Sequence, residues 1–64
     1  MNILKKYQLK KQQRELMQRR DVYEQLQAEH SGDEYFYKYA QREMDALDEK
    51  AEHIRGILEG RWSE

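Results

Sequence analysis

The sequence predicts an all-α fold, a two-helix antiparallel coiled-coil hairpin that dimerises into a four-helix bundle. Three observations predict it. Tyr37, Ala40, Met44, Leu47, Ala51, Ile54 and Leu58 recur at alternating spacings of three and four, which lays one apolar stripe along a helix. Leu9, Gln12, Leu16, Arg19, Tyr23 and Leu26 repeat that rhythm in the first half, with polar residues at two of the positions. Midway between the stripes stand Ser31 and Gly32, turn chemistry in a chain that has no proline.

The elements follow in order. A first helix is expected over about residues 3 to 29, because Gln, Lys, Arg, Glu and Leu dominate and nothing inside the segment breaks it. The turn is residues 30 to 33, His30-Ser31-Gly32-Asp33. Gly32 can take the left-handed conformation that ends a helix, and Ser31 or Asp33 can cap the next one by accepting its free N–H groups. Glu34 adds negative charge at the positive end of that helix dipole. The second helix is expected over about residues 34 to 59, with Gly56 at an outward position costing about 1 kcal/mol relative to alanine. Gly60 stops it, and residues 60 to 64 are expected to fray unless Trp62 packs. Residues 1 to 64 thus make one helical-hairpin domain.

An antiparallel register pairs the two stripes layer by layer. Leu26 faces Tyr37, Tyr23 faces Ala40, Arg19 faces Met44, Leu16 faces Leu47, Gln12 faces Ala51, Leu9 faces Ile54 and Lys5 faces Leu58. On the flanks Glu15 is expected near Lys50 and Arg20 near Asp48, exposed pairs worth about 0 to 1 kcal/mol each. Gln12 and Arg19 weaken the seam but help to hold its register. Arg19 is expected to lay its methylenes across Met44 and turn its guanidinium toward Glu15, Glu43 or solvent.

Composition narrows the function classes. A chain of 64 residues buries a small fraction of its surface, and without cysteine it has neither a disulfide nor a thiolate metal site to staple it. Association with another helical surface is the stabilising route left. No apolar run approaches the ~20 residues that span a bilayer, and the first eleven residues lack the apolar core of a signal peptide, so a cytoplasmic setting without membrane contact is expected. The two histidines, His30 and His53, stand too far apart along one hairpin to share a metal, and no nucleophile-base pair or glycine-rich phosphate loop occurs. Glu49 and His53, one turn apart, read as an exposed helical pair. No catalytic residue, metal site or cofactor is expected, and the protein is read as a non-enzyme.

What remains are surfaces. Tyr35, Phe36, Tyr37 and Tyr39 put four aromatics in five positions, which cannot all enter one core. Tyr35, Phe36, Tyr39, Ala46, His53 and Ile57 form a second edge of the later helix that the hairpin does not cover, and they are read as a homodimer or partner interface. The expected role is a small interaction or regulatory module that engages a larger protein. Charge supplies the alternative. Residues 1 to 20 hold seven Lys or Arg against Glu15 alone, a net +6, and residues 21 to 64 hold five against twelve acids, a net −7. Lys6, Tyr7, Lys10, Lys11 and Arg14 can contact RNA or DNA, phosphates on the cations and a base on the ring. Folding back on the acidic helix is expected to neutralise much of that arm internally. A third reading is a structural subunit of a larger assembly, with both spare faces covered by neighbours.

Overall fold

The computed structural model describes residues 2–62. Helix α1 runs over Ile3–Glu29 and helix α2 over Glu34–Leu58, packed on each other as a hairpin 46 Å long and 11 to 17 Å across. The caps explain the boundaries. The Asn2 side chain accepts the Lys5 N–H at 2.7 Å and starts α1, and the Asp33 carboxylate accepts the Phe36 N–H at 3.0 Å and starts α2. The expected left-handed Gly32 is not what ends α1. His30 closes that helix at negative φ, and a short Asp33 N–H to His30 carbonyl bond of 3.0 Å turns the chain. Gly60 is the residue that takes the left-handed conformation, at φ 83°. Its N–H reaches the Ile57 carbonyl at 3.1 Å and the Arg61 N–H reaches Gly56 at 2.7 Å, the double bond of a Schellman stop.

The core is a thin line: Leu9, Ala40, Met44, Leu47 and Ala51 are buried, and Leu16, Tyr23, Leu26 and Ile54 are half-buried. The α2 stripe therefore sits where its spacing places it, apart from Tyr37, which is 46% exposed. Helix α1 is rotated from the expected seam. Gln12, Arg19 and Lys5 are exposed, whereas Gln13 and Arg20 are half-buried and Gln27 is buried. The seam of α1 is thus Leu9, Gln13, Leu16, Arg20, Tyr23 and Gln27, which also alternates fours and threes.

Partners on α2 account for the rotation. Arg20 meets Asp48 at 2.7 Å and Glu24 at 2.9 Å. The Gln27 amide donates to the Tyr37 carbonyl at 3.1 Å and to the Gln41 side chain at 3.2 Å, and Gln41 donates onward to Asp45 at 3.0 Å. Every buried side-chain polar atom among the described residues has a partner, so burying Gln27 leaves no unmet donor. These bonds close one edge of the hairpin. One expected ion pair fails: among the described residues Glu15 does not pair with Lys50, while Arg19 pairs with neither Glu15 nor Glu43 and faces solvent.

Candidate functional site

The other edge of the hairpin is open. Near the turn, Phe36 lies edge-on to His30 with ring centres 5.0 Å apart and tilted against Tyr39 at 6.2 Å. Tyr39 in turn meets Tyr23 of α1 edge-on at 6.3 Å. Four rings from two helices thus form one cluster, a geometry that favours aromatic pairs beyond their burial. Tyr39 remains 40% exposed, and Val22, one position before Tyr23, is 56% exposed. A hydrogen bond in which the Tyr39 hydroxyl donates to Tyr23, and then the nearby charges of Tyr23 and Glu43, hold the Tyr39 phenol above its ordinary ionisation range.

Farther from the turn the same edge opens into a groove of about 1040 Å³. Gln12, Leu16 and Arg19 line it from α1, and Ala46, His53 and Ile54 line it from α2. Gln12 and Arg19, expected inside the seam, are wall residues of this groove. Its far end is built by the chain that follows α2. Trp62 stacks on His53 at 6.1 Å and covers Gly56, so that a Cβ added there would collide with the indole. Arg61 meets Glu52 at 3.0 Å and Glu59 at 3.2 Å. Gly56 is therefore buried rather than outward, under an indole that is itself 55% exposed. Ser63 and Glu64 lie outside the described residues.

The expected interface residues divide. Phe36, Tyr39, Ala46 and His53 lie along the open edge, with Ile57 half-buried beyond them on the same side of α2. Tyr35 is 82% exposed on the outer face of α2 and joins none of the ring contacts. Trp62 is the member that pattern reading left conditional. A signal for it exists, because the residues just past a Schellman glycine commonly return onto the last helical turn, where Gly56 leaves room.

The basic arm forms a separate surface. Lys5, Lys6, Tyr7, Lys10, Lys11 and Arg14 are exposed, and among the described residues none of the five cations is in an ion pair. Among the described residues the expected internal neutralisation draws no ion pair from these five cations. Arg20 to Asp48 is the one ion pair between the helices among those residues, while Glu52 and Glu59 are engaged by Arg55 and Arg61 of their own strand of chain. Arg55 donates to Glu59 at 2.9 Å, and that hydrogen bond is the main cause holding the Glu59 carboxyl below its ordinary range.

His30 and His53 stand at different ends of the open edge, each against an aromatic ring. Among the described residues no three His, Asp or Glu side chains are gathered as a metal site requires, and no helix is long and apolar enough to cross a membrane. No protein-family model matches this chain, and no curated protein and no solved structure is detectably similar to it.

Proposed function

We propose that the protein is a small non-enzymatic interaction module, a homodimeric four-helix bundle assembled through the open edge, that engages a larger protein with its remaining helical faces. One observation carries this reading, the surplus of exposed surface. A compact monomer of 7.9 kDa exposes about 4,400 Å², whereas this hairpin exposes 5250 Å². The surplus of roughly 850 Å² is close to the ~800 Å² that each partner contributes to a standard interface. A two-helix rod exposes more than a sphere, and a second rod laid along it relieves that excess. The open edge is the surface suited to such a contact, since its aromatic cluster and groove run together along the hairpin, whereas the closed edge exposes Tyr37 beside a row of polar bonds.

Sedimentation equilibrium at micromolar concentration tests the assembly. The expected mass is twice that of one chain. Ala46→Glu combined with Tyr39→Ser should return it to one chain mass with helicity kept, because both residues lie outside the hairpin core. A wild-type chain that stays monomeric and fully helical would overturn the dimer. Affinity capture from its own cell extract with nuclease present then tests the larger partner, which should be retained specifically and without nucleic acid.

A further inference from the structure

We infer that the outer face of the first three turns of α1 is a binding site for the backbone of single-stranded nucleic acid, with Tyr7 as the platform on which an unpaired base stacks. Tyr7, Lys10, Lys11 and Arg14 are spaced i, i+3, i+4 and i+7, so they share one face of the helix, and Lys6 flanks it one turn before Lys10. Tyr7 is 65% exposed among these cations. The site lies away from the open edge, so it does not rest on the dimer.

The arrangement works against the helix that carries it. Lys6, Lys10 and Arg14 repeat like charges at i, i+4, which repel. Lys6 stands in the first turn, where the helix dipole is already positive, and that turn has no acid to offset it. Among the described residues no acid of α2 forms an ion pair with these cations, and Asp48 and Glu52 are held by Arg20, Arg55 and Arg61 instead. A row of unpartnered cations with about 6 Å of rise between Lys6, Lys10 and Arg14 fits a chain of phosphates, and an exposed ring among them fits a base. A lipid surface fits less well. Membrane-lying helices separate a charged face from an apolar one, whereas here Lys10, Lys11 and Arg14 sit on the same face as Tyr7.

Fluorescence anisotropy with labelled RNA and DNA single strands of about 12 nucleotides tests the site on the whole chain. Four phosphate contacts predict a log-log salt slope of about −2.8, a fall in affinity of roughly 50-fold between 50 and 200 mM salt. Replacing Lys6, Lys10 and Arg14 with glutamine should flatten the slope to about −0.7, a fall of roughly 3-fold. Tyr7→Ala should weaken binding by about 5- to 150-fold at an unchanged slope, and Tyr7→Phe should restore it. Preference between the two strands identifies the source of the phosphates. No binding of either strand at 50 mM salt, a slope that the triple variant leaves unchanged, or binding of phosphatidylserine vesicles in place of both strands would each overturn the site. The dimer is read by sedimentation without nucleic acid, so the two proposals fail separately.

Discussion

The two edges of one hairpin seam have opposite chemistry. Along the closed edge, Arg20, Gln27, Gln41, Asp45 and Asp48 are joined by directed bonds that tolerate one rotation of α1 and no other. Along the open edge, Tyr23, Phe36, Tyr39 and the groove beside Ala46 and His53 make contacts of shape and area, many still facing solvent. The difference teaches how so small a chain divides its labour. Polar bonds specify the geometry, and apolar surface is left over for the association proposed above.

Both edges depend on the buried line between them, so the largest effect should come from breaking it. Met44 is 3% exposed at the centre of α2, and Met44→Glu buries a charge with no dedicated partner. A loss of about 3–5 kcal/mol is expected, enough to unfold a domain of this size. Circular dichroism at 222 nm would show it, and full helicity with an unchanged melting temperature would mean that Met44 is not in the seam.

The comparison itself is sharpened by taking one residue from each edge. Gln27→Ala removes the donor to the Tyr37 carbonyl and to Gln41 from a site 8% exposed, and should cost about 1–3 kcal/mol. Tyr39→Ser, from the open edge, should cost the isolated hairpin less while weakening its self-association more. Thermal melts of each variant over a range of protein concentrations read both effects. If Tyr39→Ser lowers the concentration-independent stability further than Gln27→Ala does, the open edge is what holds the hairpin.

The end of the groove gives a smaller test. Gly60→Ala places a Cβ in the left-handed region at φ 83° and should cost about 1 kcal/mol. Gly56→Ala should displace the indole of Trp62 from its seat. A red shift of Trp62 emission is expected with little change in melting temperature, because alanine's helix preference of about 1 kcal/mol over glycine offsets lost packing. An unshifted emission would show that the clasp does not depend on the glycine.

The smallest effects are in pH. Glu59 is held below its ordinary 4.5 by Arg55, so its contribution is present above that value and is lost as pH falls through the depressed folded value. Tyr39 is held above its ordinary 10.0 by Tyr23, so its contribution is complete below that value and is lost as pH rises through the raised one. Melting temperature should therefore be flat between these windows and fall at both ends. Glu59→Gln should blunt the acid limb and Tyr39→Phe the alkaline limb; a limb that its variant leaves unchanged belongs to other groups.

Most of the fold was legible because it is local. Helix-forming residues without proline, an Asp33 cap and a stop at Gly60 act through chain neighbours, and the α2 stripe repeats strongly enough to name its own buried face. The open edge was legible for the same reason: Phe36, Tyr39, Ala46 and His53 lie beside a stripe that is already complete. The seam of α1 was not. Gln12 stands next to Gln13 and Arg19 next to Arg20, so at these two positions a shift by one changes no residue type, and at the third it exchanges Leu26 for Gln27, against what an apolar periodicity selects.

What the sequence by itself determined is two helices, their caps, the face that α2 buries and a basic first turn. Only the tertiary structure decided that Gln13, Arg20 and Gln27 enter the seam, that Trp62 returns over Gly56 and that, among the described residues, no lysine of α1 joins an ion pair. The physical reason is the same in each case. A helix's period is set by its own backbone, but its rotation is set by what stands across from it: Asp48, the Tyr37 carbonyl and Gln41 lie far along the chain and come within reach of α1 only once the hairpin has closed.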